Sequence, residues 1–208
     1  KFPEMTPDDI AFWRSWYDGK IHDADARVGD FLAELHKRSL DKNTVVVLLS
    51  DHGTEFYEHH KFDHGHTLYD ELLHVPFVVK VPGGKPAVYA QQVSTMDLLP
   101  TLIEAVGLKK SPALKAQIQG VSLADSLRGR APKARDVFSE TDYRNYTHKR
   151  SVRTADGWKY VMTLESGKDE LYDLKRDPGE LTNLAESQPK RRDQLRAKLN
   201  RHIDRDLH

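Results

Sequence analysis

Residues 50–66 read SDHGTEFYEHHKFDHGH, and six of the chain's 11 histidines (His52, His59, His60, His64, His66, His74) fall between residues 52 and 74. Imidazoles and carboxylates together offer nitrogen and oxygen ligands for a divalent cation, and an imidazole also exchanges a proton near neutral pH. The stretch follows directly on the apolar run TVVVLL (44–49). Open α/β sheets place their ligand-binding groups just beyond the carboxyl ends of strands. Asp51 and His52 stand at that position, and Gly53 lets the backbone turn away. Taken alone, the same tripeptide is equally what a capping aspartate and a surface histidine look like.

The elements that must position these residues are legible on either side. Thr6-Pro7-Asp8-Asp9 is a helix start: a capping hydroxyl, proline in the first turn, then acids at the positive end of the dipole. Ile10, Trp13, Tyr17, Ile21, Ala24, Val28, Phe31 and Leu35 recur at steps of three and four, one apolar face of a helix ending near Ser39. Gly19 and Gly29 inside it predict a kink or a close helix contact. TVVVLL is apolar at every position after the threonine, the habit of a strand buried on both faces in a parallel sheet. A short helix over TLYDELLH (67–74), a strand over VPFVVKV (75–81) and a capped helix over STMDLLPTLIEAVG (94–107) complete an α/β alternation.

The pattern changes after about residue 131. DVFSET, RSVRTADGWKYVMTL and ELYDL read as short strands, with Ala155-Asp156-Gly157 as a hairpin turn. SQPKRRDQLRAKLNRHI reads as a charged amphipathic helix capped by Ser187. The expected organisation is residues 1–130 as part of an α/β catalytic domain and 131–208 as a small α+β subdomain.

Charge is balanced, 32 basic against 32 acidic residues, so no global field draws in nucleic acid or an anionic membrane. No apolar stretch approaches the ~18–20 residues of a membrane span. The chain opens on Lys1 rather than Met, and no signal peptide is visible. It has no cysteine, which removes disulfide scaffolds, thiolate zinc sites and cysteine nucleophiles together. Asn145-Tyr146-Thr147 is a glycosylation sequon.

The stretch NTVVVLLSDHGTEFYEHHKFDHGHTLYDELLHVPFVVKVPGG resembles the sulfatase family of the alkaline-phosphatase-like superfamily. The resemblance continues, in the family's order, through VSTMDLLPTLIEAVG, QGVSLADSLRG, SVRTADGWKY and ELYDLKRDPGELTNL, and the upstream WYDGKIHDADARVGDFLAEL fits as well. It implies an α/β fold, part of a mostly parallel sheet flanked by helices, followed by an antiparallel subdomain with a C-terminal helix. It implies a metal-dependent hydrolase of sulfuric esters, with Asp51 and His52 matching the pair that ligates one divalent metal. Calcium is the ion the family implies; a histidine nitrogen in the second place also suits manganese or zinc. His64 stands near where many relatives carry a lysine that contacts the sulfate and the leaving oxygen, so it is the candidate proton donor. Lys61, with His59, His60 and His66, is close enough in sequence to touch the same anion, and Lys61 is the candidate substrate-binding residue. Tyr69, Asp70, Pro76, Asp97, Pro100 and Thr101 match the family pattern too and read as packing, capping and turn residues.

Two parts of the family pattern are missing. The nucleophile, a formylglycine made from Cys or Ser in a Cys/Ser-x-Pro-x-Arg stretch, has no counterpart: in SPALK (111–115) proline directly follows serine and no arginine stands in place. The early Asp-Asp pair that supplies the other metal ligands is absent as well. The expectation is therefore the carboxy-terminal part of a sulfatase, completed by an amino-terminal segment on the same or a separate chain, and a periplasmic, secreted or lysosomal-type compartment. A phosphodiesterase or phosphonate monoester hydrolase of the same superfamily is the nearest alternative, and a non-catalytic fragment or binding module the next.

Overall fold

A computed structural model of the chain describes residues 4–144 and 146–206. Helix α1 (Pro7–Lys37) begins as expected, with a reciprocal capping box: the Asp9 N–H donates to Thr6 Oγ1, and the Thr6 N–H to Asp9 Oδ2. It runs unbroken through Gly19 and Gly29, and no atom lies within 4 Å of where a Cβ would stand at either. The kink or close contact expected there is therefore not found.

The apolar stripe of α1 is also less covered than its periodicity predicts. No residue of the helix is buried; Ile21 and Phe31 of the stripe are each more than half exposed, as are Phe12 and Trp16 outside it. The helix packs on a small hairpin of β2 (Glu55–Phe56) and β3 (Phe62–Asp63), where Trp13 meets Phe62 at a tilt and Tyr17 meets Phe56 edge-on.

Strand β1 (Val46–Leu49) pairs with β4 (Phe77–Lys80), and the pairing is antiparallel, Leu48 opposite Val78. The α/β class holds, but the one pairing these strands make with each other is not the parallel kind that their apolar runs suggested. Nor is β1 buried on both faces: Leu48 is 49% exposed and Val78 54%. Between the strands lie the hairpin and the single-turn helix α2 (Asp70–Leu73). After β4, a Ser94-capped 3-10 turn leads into α3 (Leu98–Ala105), which stops before Gly107 at φ 72. Two further short helices, α4 (Pro112–Gln117, capped by Ser111) and α5 (Ala124–Leu127), were not foreseen.

Buried Asp97 ties this region together. It accepts hydrogen bonds from the Ser94 and Val121 N–H groups at 2.9 and 2.7 Å and pairs with Arg135. Thr101 donates to the Asp97 carbonyl and accepts from the Leu123 N–H, so both residues have the capping and turn roles the sequence suggests.

The C-terminal strands form an antiparallel meander, β5 (Val137–Tyr143), β6 (Thr147–Arg153), β7 (Trp158–Thr163) and β8 (Asp169–Asp173), with the predicted turn at 155–157. Helix α6 (Pro189–Asp206) closes one face over a core of Val152, Tyr160, Leu171, Ala185, Leu195 and Leu199. Ser187 does not cap it: the helix begins two residues later at Pro189, and the Ser187 hydroxyl donates to the Leu184 carbonyl instead. Asn145 of the sequon lies outside the described residues.

Candidate active site

Immediately after β1, the chain turns at Asp51-His52-Gly53 and lies against α2. The Gly53 N–H donates to the Leu72 carbonyl at 2.8 Å. A Cβ at Gly53 would land on the Glu71 carbonyl oxygen, well inside contact distance, so only glycine lets the turn approach this closely. Asp51 Oδ1 accepts the His52 N–H at 3.0 Å. His52 Nδ1 lies 2.9 Å from the Gly53 carbonyl. A carbonyl only accepts, so Nδ1 carries the proton and the Nε2 lone pair is left free. That Nε2 stands 3.7 Å from Asp51 Oδ2, and the Asp51 side chain is 88% exposed. One oxygen and one nitrogen donor thus face the same open space.

His64 joins them from the other side. Its ring stacks on that of His52, with centroids 3.9 Å apart and planes within 22°. Its Nδ1 is 2.6 Å from Asp63 Oδ1, an ion-pair contact that holds the ring by that nitrogen, and the side chain is 43% exposed. Asp63 holds φ 79, a left-handed conformation costing a non-glycine residue about 1 kcal/mol. The sequence reading passed over Asp63, although a signal was present: the tripeptide Asp-His-Gly occurs twice, at 51–53 and 63–65. The second glycine also has a structural demand on it, with φ 91 and the Tyr143 ring against its α-carbon, while Thr141 Oγ1 donates to the Gly65 carbonyl at 2.6 Å.

Behind this exposed cluster lies a buried one. Glu55, fully buried, accepts the His59 and Lys61 N–H groups at 3.1 Å and faces His66 Nε2 at 3.4 Å. Burial pushes its carboxyl up, but the contacts with His66 and the two amides outweigh that and hold it below the usual range. His59 stacks on Tyr69 and sets Nε2 3.3 Å from Glu71 Oε1. Desolvation lowers the His59 imidazole and raises Glu71 to about 7. His59 and His66 are therefore framework residues, whereas His60 is exposed.

Of the sequence-predicted site residues, Asp51, His52 and His64 come together and Lys61 does not. The Lys61 side chain is half-buried, lowered first by desolvation and then by Lys149, in a field shared with Glu55, Glu170 and Lys168. It makes no hydrogen bond or ion pair with the other three among the described residues.

As a test of fit for a divalent ion, the Asp51–His52 pair has the right donor types, hard oxygen and borderline nitrogen. Among the described residues no third His, Asp or Glu groups with them. Four ligands are the norm for zinc and six or more for calcium. The pair fits as part of a site.

An α/β frame with an Asp-His turn at a strand end, followed by an antiparallel sheet and a C-terminal helix, is the alkaline-phosphatase-like arrangement. The solved structure of a 2-O GAG sulfatase superposes with a TM-score of 0.67 at 36% identity, over 79% of this chain and 37% of that one. The family model Sulfatase matches residues 13–108. The Delta 4,5-hexuronate-2-O-sulfatase of Bacteroides thetaiotaomicron is 36% identical over 167 residues, 76% of this chain and 34% of that protein. Arylsulfatase K of Gallus gallus is 31% identical over 193 residues, 88% of this chain and 35% of that protein. The chain belongs to the sulfatase family. It spans about a third of the length of the curated relatives it matches.

Proposed function

We propose that this chain supplies the acid and half of the metal site of a sulfuric ester hydrolase, and that an amino-terminal sulfatase segment, on the same or another chain, supplies the nucleophile and the remaining ligands. The observation that carries the reading is the joint geometry of Asp51, His52 and His64: two ligand atoms opening on one space, with an oriented imidazole stacked beside them. A divalent ion there, calcium by family likeness or manganese or zinc by donor type, would withdraw charge from the sulfuryl oxygens.

The chain's own residues do the rest. The Gly53 carbonyl accepts from His52 Nδ1, so that Nε2 is the nitrogen left for a ligand. Asp63 holds the His64 ring by its Nδ1, so a protonated ring would offer the departing alcohol oxygen its Nε2 proton.

The amino-terminal segment is supported by surface as well as by chemistry. Leu48 and Val78 lie side by side and open on the sheet that carries Asp51. The exposed apolar side chains of α1 add Phe12, Trp16, Ile21 and Phe31. We propose further that residues 1–130 belong to the catalytic domain and 131–208 to a subdomain, the latter supported by its own core against α6. A periplasmic, secreted or lysosomal-type compartment goes with the family likeness; no described helix is long and apolar enough to cross a membrane.

The test is hydrolysis of matched nitrophenyl sulfate, phosphodiester and phosphonate esters by the complete enzyme, with and without chelator. Chelator-sensitive turnover that favours the sulfate is expected. Preference for a phosphorus ester, or turnover indifferent to both chelator and Asp51→Asn, would defeat it.

A further inference from the structure

Helix α2, on which the Asp-His-Gly turn rests, has four residues and no side-chain cap of its own. A single helical turn does not hold itself together, because fixing its backbone costs more order than its few hydrogen bonds return. What holds it comes from the C-terminal sheet and the turn after β8. The Asp70 N–H, the first of the helix, donates to Glu180 Oε2 at 2.6 Å. Lys159 on β7 donates to Asp70 Oδ1 at 2.9 Å and to Glu180 Oε2 at 3.0 Å, and its ammonium stands 2.9 Å from Glu180 Oε1 as an ion pair. The side chains of Lys159 and Glu180 are completely buried. Arg153 Nε stands 3.3 Å from the other Asp70 oxygen, and the Tyr69 hydroxyl donates to Glu170 on β8 at 2.7 Å.

Buried charges of this kind are tolerated only when paired, and an unpaired one is costlier than the pair is favourable. The pairing therefore leaves α2 one position relative to the sheet. The far side of α2 passes that position on. The Leu72 carbonyl receives the Gly53 N–H, and the Glu71 carbonyl abuts the Gly53 α-carbon.

We propose that Lys159 and Glu180 are positioning residues for the Asp51–His52 pair, acting through α2. The sheet grips Asp70, α2 grips Gly53, and Gly53 sets the turn from which both donors project. The functional meaning of this coupling rests on reading Asp51 and His52 as ligands; the coupling itself does not.

Amide hydrogen exchange on the whole chain reads it directly. In Lys159→Met, the amides of Gly53 and of His74, which donates to the Asp70 carbonyl at 2.8 Å, are expected to exchange about tenfold faster or more. The amides of the β6–β7 ladder around Val152 and Tyr160 should keep their rates. Glu180→Gln preserves shape and removes charge, and should speed the same two amides by a smaller factor; it decides the matter if Lys159→Met does not fold. Unchanged Gly53 exchange in a folded variant overturns the proposal, as does an acceleration the sheet amides share equally. Manganese binding by the complete enzyme, wild type against Asp51→Asn, is read separately. No loss there defeats the ligand reading and leaves the exchange result intact.

Discussion

Glu71 gives the chain an unusual dependence of stability on pH. Its carboxyl is about four-fifths buried beside His59, and burial, reinforced by Glu180, Glu55 and Glu58, raises it from 4.5 to about 7. Below pH 4.5 the group is protonated folded and unfolded alike. Between 4.5 and 7 the unfolded chain releases the proton and the folded one keeps it, so stability falls as pH climbs and the loss is complete above 7. The full displacement corresponds to about 3 kcal/mol, and residual solvent contact and the neighbouring imidazole reduce it to about 1–2 kcal/mol.

His59 acts in the opposite sense. Burial holds its imidazole below 6.5, so the stability it contributes is present above that value and is lost as pH falls. Glu55, Asp70 and Glu170 are all held below their ordinary values and matter only near and below pH 4. Compared between pH 6 and 8.5 by urea unfolding followed by circular dichroism, the wild type should lose about 0.4–0.8 kcal/mol more than Glu71→Gln, which mimics the protonated acid and leaves His59 in place, because only the last part of the loss lies above pH 6. Equal changes in the two proteins would refute the burial argument.

Gly53→Ala should cost about 1–3 kcal/mol in thermal or urea melts, because a methyl group meets main chain that cannot swing aside; a neutral result would show that the turn does not rest on α2. Asp63→Asn in the complete enzyme should slow turnover of alkyl sulfates by about tenfold or more while sparing nitrophenyl sulfate, whose leaving group needs no acid. Equal losses on both esters would remove His64 from the acid role. Asp97→Ala strips Arg135 and two amides of their buried acceptor and should cost about 3–5 kcal/mol by urea unfolding. A cost under about 1 kcal/mol would mean that Arg135 and the amides find other partners.

What the sequence disclosed and what it withheld divide along a physical line. Helix α1 and the C-terminal meander were legible because their signals are local: a capping box, a period of three and four, a turn flanked by alternating residues. The hairpin of β2 and β3 was not, since each strand has two residues and its cohesion comes from Trp13 and Tyr17, more than 35 positions away. Strand direction was equally hidden, because an apolar run is compatible with either orientation. Asp51, His52 and His64 were singled out as candidates through motif and family likeness, whereas Asp63 needed the structure to show which neighbour lies against the His64 ring. The titration of Glu71 could not be seen at all, for it depends on burial and on carboxylates that only the fold brings near.

Two features bear on the proposed amino-terminal segment, and both belong to β1 and its end. Leu48 opens an apolar face on the strand, and three residues later, just past its end, Asp51 presents a carboxylate beside His52. A structure that paired with β1 and covered Leu48 and Val78 would, by the geometry of sheets, bring its own strand ends alongside Asp51. With Asp51 and His52 as ligands, as proposed, covering the apolar face and completing the coordination are then one event. A fused or added amino-terminal sulfatase segment should thus bury Leu48 and create divalent-ion affinity together. Quenching of a probe placed at Leu48 without any gain in ion binding would separate the two and break the argument.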